Sequence, residues 1–481
     1  MRPFSSLCLL ILAFLGVVSA RSAVGNRLLV VLEDESQKSL YSKFWADLEA
    51  RDFKLSFESP RNDALSLFRH GELAFEHVLL TPPKSKGYGP SLTPKLLLDY
   101  VNAGGNVLLG LSAESGTPSA ISSLLLEFDI TLPTDKNSVV VDHFNYDTAS
   151  AGEKHDVLLV SRSNPSRADV VNFFGGSGLL ALPQTVGQTL GNTSPLVAPI
   201  LKAPVTAYAC NPKDDAESVE DVFATGSQLS LISALQARNS ARFVVLGSLE
   251  SLQDKWFDAS VKTPDGKSVK TVNREFAQQL TEWTFKEVGV LKVIDINHYQ
   301  ITPATKANQN ATQIGDSNPE IYRIKNDVKF NIEIAQWSRT HWTPFTLPST
   351  TDAVQLEFSM LSPFQRLALS PSASPPSPNS TIYTTTFTTP DQHGIFAFKV
   401  NYKRPWLTSI EEKRQVTVRH FAHDEWPRSW AISGAWPWIT GLWSVIGGFL
   451  AFVALWLYSE PPKGQSESER RRKLSVSAPA K

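Results

Sequence analysis

One stretch of the sequence comes close to the Gly-x-Ser-x-Gly motif, in which a strained turn after a strand presents a serine for nucleophilic attack. Ser112 stands two residues after Gly110, but Glu114 occupies the position of the second glycine. A serine that caps a helix or holds a turn explains the same residues. We therefore expect Ser112 to be structural, because a hydrolase would also need a base and an oriented partner beside it.

Two further positions carry groups that could act as nucleophile or base. His143 lies within the polar stretch Asp142–Asp147, whose side chains could hold a metal or shuttle protons, although Asn and Asp also form turns. Cys210 is the single cysteine that remains once Cys8 leaves with the predicted leader. A lone cysteine could be a nucleophile or pair with another chain, but we expect an ordinary thiol.

Metal and nucleotide chemistry are not favoured elsewhere. His420 and His423 have i, i+3 spacing beside carboxylates, but they lack the flanking pattern of a zinc family, so a polar cluster is expected. The first predicted strand leads into Glu33–Glu35, an acidic and glycine-free turn that would repel a phosphate. We predict no catalytic, cofactor-binding or metal-binding residue.

The elements that hold these residues begin as alternating strands and helices. Short apolar runs predict strands at Leu28–Leu32, Lys54–Phe57, His77–Leu80, Asn106–Leu111 and Arg242–Leu246. Between them, Ser36 is expected to cap a helix with Leu40, Phe44 and Leu48 on one apolar stripe, and Thr93 to cap another. The pattern predicts a doubly wound α/β domain with helices on both faces of a parallel sheet, over residues 21–292.

The period changes after Lys292. Apolar residues alternate with polar ones in Phe330–Ile334, Val354–Phe358 and Phe396–Val400, as in half-buried antiparallel strands. We predict a β-sandwich-like domain over residues 293–430.

The two ends predict a membrane protein with a lumenal N-terminus. Residues 1–20 form a signal peptide with cleavage after Ala20, because the apolar run Leu7–Val18 is too short to span a bilayer. Residues 436–458 form a transmembrane helix with tryptophan and tyrosine at its edges. The basic tail, residues 459–481, would then lie in the cytosol, which gives a single-pass type I topology.

Composition and sequons agree with a folded secretory protein. The hydrophobic content of 42% fits globular domains, and the net charge of −1 gives no reason to expect a nucleic-acid partner. Asn192, Asn310 and Asn379 each stand in an Asn-x-Ser/Thr sequon and are predicted as possible N-glycosylation sites.

The predicted span carries small residues four positions apart, namely Ser444 with Gly448 and Gly447 with Ala451. Such pairs let a second helix approach closely, which is how membrane helices associate. A single-span chain with a packing stripe and no active-site pattern indicates a subunit of a larger assembly.

Seven short stretches follow one another in the order and spacing of a known family: Leu28–Glu33, Asn102–Val107, Ser233–Arg238, Trp283–Val288, Gln355–Phe358, Phe398–Arg404 and Val418–Glu425. They resemble the 48 kDa (DDOST-type) subunit family of the oligosaccharyltransferase complex. The resemblance covers nearly the whole chain after residue 20, except the proline-rich loop at 370–380 and the tail.

The resemblance implies a non-catalytic, scaffolding subunit in the endoplasmic reticulum membrane. The complex transfers an oligosaccharide from dolichyl diphosphate to Asn in Asn-x-Ser/Thr of nascent proteins, with catalysis and its metal in a separate multi-span subunit. The implied fold of the first domain is glutamine-amidotransferase-like without the nucleophile. The implied partners, in a hetero-oligomer, are that catalytic subunit, ribophorin-like subunits and small multi-span subunits. Ala478 and Pro479 replace the dilysine signal of some members, so retention would come from assembly or another signal.

Two alternatives belong to other functional classes. A single-span lumenal enzyme of hydrolase or amidotransferase type would use Ser112, His143 or Cys210, but the sequence groups no base and partner around them. A cell-surface receptor with a β-sandwich stalk would usually carry paired cysteines, which this chain lacks.

Overall fold

The computed structural model describes most of the chain, namely residues 21–62, 64–83, 85, 87–151, 153–162, 170–192, 194–211, 222–301, 317–372, 377–426, 435–459, 468, 471 and 472. One compact unit runs to Val418, and a second begins at Arg419. The predicted signal peptide with its cleavage point after Ala20 lies outside the described residues, as do Asn310 and most of the predicted tail.

The described α-helices are α1 (Ser42–Glu49), α2 (Pro94–Asn102), α3 (Ser119–Glu127), α4 (Asp254–Phe257), α5 (Asn273–Thr284) and α6 (Trp436–Tyr458). Short 3-10 helices cover Glu35–Tyr41, Pro90–Leu92, Gly226–Gln228 and Leu249–Leu252.

The strands of the first half of the chain are β1 (Arg27–Val31), β2 (Lys54–Glu58), β3 (Phe68–Arg69), β4 (Glu72–Leu73), β5 (His77–Leu80), β6 (Asn106–Gly110), β7 (Ile130–Thr131), β8 (Val139–Val141), β9 (Val157–Ser161), β10 (Leu179–Pro183), β11 (Gln188–Leu190), β12 (Val197–Lys202), β13 (Tyr208–Cys210), β14 (Leu229–Gln236), β15 (Arg242–Leu246), β16 (Ser260–Lys262) and β17 (Ser268–Lys270). Those of the second half are β18 (Val290–Gln300), β19 (Ile321–Arg323), β20 (Asp327–Ser338), β21 (His341–Pro344), β22 (Gln355–Ser359), β23 (Phe364–Ala368), β24 (Ser370–Pro371), β25 (Thr381–Thr388), β26 (Gly394–Tyr402) and β27 (Ile410–Arg419).

A nine-stranded mixed sheet organises the first half. Its order is β2-β1-β5-β6-β15-β14-β11-β7, with β12 paired to β14. The five strands β2, β1, β5, β6 and β15 pair with one another in parallel. The strands β14, β11, β7 and β12 pair in antiparallel fashion. The predicted α/β layer is therefore present, but the sheet is mixed and not parallel throughout.

Helices cover both faces of the parallel strands, as the continuous apolar runs predicted. In β1, Leu28 and Val30 pack in one buried cluster with α1 and α5, while Leu29 and Val31 pack in a second cluster with α2 and α3. Successive residues of a strand point to opposite faces, so a strand buried on both sides must be apolar at every position.

Two details of the first helix differ from the sequence prediction. Asp34, not Ser36, caps the 3-10 turn, since its carboxylate accepts the backbone N–H of Ser36 at 3.0 Å. The N–H groups of Ser42 and Lys43, which start α1, are bound by the distant Asp254 carboxylate at 3.1 and 2.8 Å. The 3-10 turn shifts the helical phase, so Leu40 is exposed and does not join the apolar stripe.

The second half forms two facing antiparallel sheets, as the alternating pattern predicted. One contains β18-β20-β25-β24 with β21, and the other contains β19-β27-β26-β22-β23. Phenylalanines from the two sheets meet in the space between them, with the Phe330 and Phe398 rings stacked at 5.3 Å and Phe358 against Phe387 at 5.0 Å. These rings form part of the buried core between the two sheets.

Polar side chains tie the sandwich to the α/β layer within the first unit. The fully buried Arg242 guanidinium donates to the Val288 and Gly289 carbonyls, each at 2.8 Å, and so fixes the turn that leads into β18. Arg51 forms a buried ion pair with Glu287 at 2.7 Å, and Arg339 on the sandwich pairs with Glu282 of α5 at 2.9 Å.

Candidate functional site

Ser112 lies at the carboxyl end of β6, the edge at which α/β sheets most often bind ligands. Its hydroxyl donates to the carboxylate of Glu250, which follows the neighbouring strand β15, and accepts the backbone N–H of Glu114 at 3.2 Å. The serine is buried, with 3% of its surface exposed. This hydrogen bond joins the segment that follows β6 to the segment that follows β15.

The chemistry of this pair does not match an activated nucleophile. Burial raises the pKa of the Glu250 carboxyl to about 6, and the hydrogen bond from Ser112 opposes that rise. A catalytic serine needs a positioned base, itself oriented by a third group. The described hydrogen bonds of Ser112 supply a carboxyl group and a backbone N–H, with no imidazole.

His143 lies in a separate polar cluster. Its Nδ1 is 2.5 Å from Nδ1 of His155, its Nε2 is 2.9 Å from the Tyr208 hydroxyl, and Tyr146 stacks on His155 at 3.8 Å. Within the predicted polar stretch, buried Asp142 accepts the backbone N–H of Phe144 at 2.8 Å. The aspartate therefore holds a turn, which is the structural role that the sequence favoured.

Cys210 ends the short strand β13, opposite Val139 of β8, and is half-buried. The described hydrogen bonds do not join it to Ser112, and no disulfide is formed in the described part of the chain.

Within the described residues, no three His, Cys, Asp or Glu side chains are placed to hold a metal ion. His420 and His423 are both exposed, beside the Arg419–Glu425 ion pair at 2.7 Å.

Two of the three predicted glycan acceptors can be placed. Asn192 is exposed just after β11, and Asn379 is exposed just before β25. An acceptor side chain on an exposed turn satisfies the first physical requirement for modification, which is access. Both sites remain predictions.

The helix α6 fits the predicted span. It has 23 residues, Trp436–Tyr458, with a mean hydropathy of 1.9 over its most apolar window and none of that window buried. At 1.5 Å per residue this helix is long enough for a hydrocarbon core of about 30 Å. A long apolar helix with no covering surface in the described structure fits a lipid environment.

The small residues of α6 lie on a helix that the rest of the described structure does not cover. A Cβ atom added at Gly447 or at Gly448 would meet no atom within 4 Å. Ser444 satisfies its own hydroxyl by donating to the Gly441 carbonyl at 2.8 Å. Together with Ala451, these residues provide a shallow surface on which another helix could pack.

Several contacts at these sites were not predicted from the sequence. Glu250, His155 and Tyr208 contact the predicted residues but lie 138, 12 and 65 positions away from them. No local motif encodes such pairs. The available signal was a glutamate four residues after the apolar strand β15.

Comparison with known proteins identifies the family. Residues 19–287 match the profile of the OST48 N-terminal domain, and residues 305–460 match that of the OST48 middle domain. The subunit wbp1 of dolichyl-diphosphooligosaccharide–protein glycosyltransferase from Schizosaccharomyces pombe is 33% identical over 90% of this chain and 92% of its own. The 48 kDa subunits of that enzyme from Arabidopsis thaliana and Danio rerio are each 30% identical, over 92% and 90% of this chain and 94% and 92% of their own.

Among solved structures, a ThuA-like protein from Parabacteroides merdae covers 54% of this chain and 89% of its own, at 14% identity and a TM-score of 0.27, a likeness too weak to inform the fold. The two domain matches and the near-complete alignments agree with each other. The chain belongs to the OST48 family.

Proposed function

We propose that this chain is a non-catalytic, scaffolding subunit of an oligosaccharyltransferase complex in the endoplasmic reticulum membrane. That complex transfers an oligosaccharide from dolichyl diphosphate to Asn of Asn-x-Ser/Thr in nascent proteins. The observation that carries the proposal is family membership along nearly the whole chain, since the curated relatives are named as subunits of this glycosyltransferase.

The separate positions of the candidate catalytic residues support a structural role for this subunit. Ser112 is tied to Glu250, while His143 contacts His155 and Tyr208 at a different place. A nucleophile, its base and an orienting group must lie within hydrogen-bonding reach of one another, and these residues do not form such a group. We infer that the α/β layer is glutamine-amidotransferase-like in architecture and has no nucleophile.

The helix α6 provides the means of assembly. We propose that it spans the membrane with the first unit in the lumen, and that Ser444, Gly447, Gly448 and Ala451 receive a helix of a neighbouring subunit. The proposed neighbours are a catalytic multi-span subunit, ribophorin-like subunits and small multi-span subunits. The spacing of small residues four positions apart on an uncovered apolar helix supports this arrangement.

The test is to purify the tagged full chain from membranes in digitonin and to identify what accompanies it. We expect a multi-span glycosyltransferase in the eluate, together with transfer of a lipid-linked oligosaccharide to an Asn-x-Thr peptide. The chain separated from its partners in a harsher detergent should have no such activity. A solitary chain with its own activity would contradict the proposal and return attention to Ser112, His143 and Cys210.

A further inference from the structure

Four exposed large apolar side chains of the sandwich gather at one end of one sheet, whereas a fifth, Ile294, lies on β18 of the other sheet. In the described residues between 317 and 418, the large apolar side chains that are exposed are Ile321, Leu361, Phe364 and Ile395. Each is more than half exposed, and Leu361, in the turn between β22 and β23, is fully exposed. We call these four side chains the apolar tip.

The strand register places the four side chains at the same end of the sheet. Ser359, which closes β22, pairs with Phe364 on one side and with Ala397 of β26 on the other. Ile395 lies two residues beyond Ala397 and pairs with Thr417 of β27. The N–H of Thr417 in turn donates at 2.8 Å to the carbonyl of Glu320, the residue before Ile321.

Three members of the tip share the outer face of the sheet. Ile395 alternates with Phe396 and Ile321 with Tyr322, and both aromatic rings are buried inside the sandwich. Neighbouring residues of a strand point to opposite faces, so both isoleucines face outward. Phe364 pairs with Ser359, which follows the buried Phe358, and so faces outward as well.

The chain leaves the sandwich at this same end. Val418, at the end of β27, pairs with Gly394, which is adjacent to Ile395. From Arg419 onward only residues 420–435 separate the sheet from α6, the helix that is long and apolar enough to cross a membrane. The membrane anchor is therefore attached to the end of the sheet that carries the apolar tip.

Cationic side chains follow behind the tip on the same face. Lys399 and Lys413 pair directly on neighbouring strands. Lys399 is four residues from Ile395, or about 13 Å along a strand. Arg366 stands two residues behind Phe364 and forms an ion pair with Glu357 at 2.8 Å. Glu357 also lies opposite Lys399, so it offsets one of the three positive charges on this face. Apolar side chains that enter the boundary of the headgroups, followed by lysine and arginine at the level of the phosphates, are the pattern of interfacial membrane binding.

We propose that the apolar tip rests in the headgroup layer of the bilayer, as a membrane contact in addition to the proposed membrane-spanning helix. The shape favours lipid over a protein partner, because Leu361 protrudes from a turn and does not line a groove. Exposed apolar side chains that cluster on a folded protein are typical of a surface that contacts a membrane or a partner.

The test uses the full chain with Cys8→Ser and Cys210→Ser, reconstituted into nanodiscs of phosphatidylcholine and phosphatidylserine. A nitrobenzoxadiazole label is attached at Leu361→Cys or Ile395→Cys. The matched control is Asn401→Cys. Asn401 is exposed and lies on β26, the strand of Ile395, on the same face but at the other end of the strand. We expect blue-shifted emission and quenching by headgroup-spin-labelled lipid at the first two positions, and neither at Asn401.

Two further outcomes decide against lipid as the occupant. Labels at Leu361 and Ile395 that behave like the label at Asn401 would overturn the proposal. Labels that lipid does not quench, and that are shielded from an aqueous quencher only when other subunits are present, would assign the tip to a protein partner. As a second variant, Lys399→Glu with Lys413→Glu should reduce the lipid quenching at Ile395, and unchanged quenching would contradict the role of the cationic residues.

Discussion

Trp283 donates its indole N–H to the backbone carbonyl of Trp406 at 2.8 Å, and the two rings meet edge to face at 5.2 Å. Trp283 belongs to α5 of the α/β layer, whereas Trp406 lies in the turn between β26 and β27 of the sandwich. The Arg242 guanidinium stands 4.6 Å from the centre of the Trp283 ring, and Phe174 packs against both tryptophans. The two halves of the first unit therefore meet in an aromatic junction that is largely buried.

We expect Trp283→Ala to destabilise the whole first unit, because the side chain is fully buried and its ring and N–H are both lost. Removal of a buried tryptophan costs about 3–5 kcal/mol of unfolding free energy. Urea denaturation of the purified full chain, followed by circular dichroism, measures the change. Trp426→Ala, at a tryptophan more than half exposed, is the matched control and should cost less than about 0.5 kcal/mol. Equal effects of the two substitutions would contradict a shared junction.

The sequence predicted the local elements better than their assembly. Continuous apolar runs identified β1 and β6 as strands with two covered faces, because both faces need apolar residues. They did not predict that β15 pairs beside β6, since this contact joins residues more than a hundred positions apart. The pairing between Ser112 and Glu250 was unpredictable for the same reason, and so was the capping of α1 by Asp254.

His77 is buried in its neutral form. Its Nε2 lies 3.0 Å from the Gly25 carbonyl, and its Nδ1 is 3.2 Å from the Asn106 amide nitrogen, so one ring nitrogen donates and the other accepts. Burial lowers the pKa of His77 to about 4, and it lowers the pKa of His298 to about 4 as well. The unfolded chain binds a proton near the ordinary histidine pKa, whereas the folded chain does not.

We therefore expect these two histidines to reduce the free energy of unfolding as pH falls from about 6.5 to 4, because protons then favour the unfolded chain. Glu250 and Glu287 act in the opposite direction over part of this range, because burial raises their pKa values to about 6 and about 7. A depression of this size for one histidine corresponds to a loss on the order of 3 kcal/mol at pH 4. Between these two pH values His77→Gln should lose less unfolding free energy than the native chain, and the contribution of His298 should remain. His393→Gln, at an exposed histidine, should leave the slope unchanged. The measurement is urea denaturation at a series of pH values, and identical slopes in both variants would contradict the assignment.

Ser112→Ala and Cys210→Ser should leave N-glycosylation of reporter proteins largely intact. Neither side chain belongs to a described group of nucleophile, base and orienting residue, so neither variant removes a reacting atom. The measurement is the glycosylation of a multi-sequon reporter in cells in which the variant replaces the native chain at equal abundance. A severe loss with either variant would give that residue a role in the reaction.

Asn192→Gln and Asn379→Gln should each remove one glycan from this chain. Both asparagines are exposed on turns at strand ends, where the modifying enzyme has access. The measurement is electrophoretic mobility of the chain from cells before and after glycosidase treatment. Asn401→Gln, an exposed asparagine outside any sequon, should not change the mobility. A chain that glycosidase does not shift would mean that neither turn is modified.

Gly447→Leu or Gly448→Leu should weaken association with partner subunits while the first unit stays folded. A leucine fills the open space beside either glycine, so a neighbouring helix can no longer approach the backbone closely. Val453→Leu adds bulk on the opposite side of α6, by the 3.6-residue period, and is the matched control. Recovery of partner subunits with the tagged chain in digitonin measures association, and limited proteolysis checks the fold of the first unit. Unchanged recovery with both glycine variants would contradict the packing role of the stripe, and a loss with Val453→Leu would move the contact to the other face.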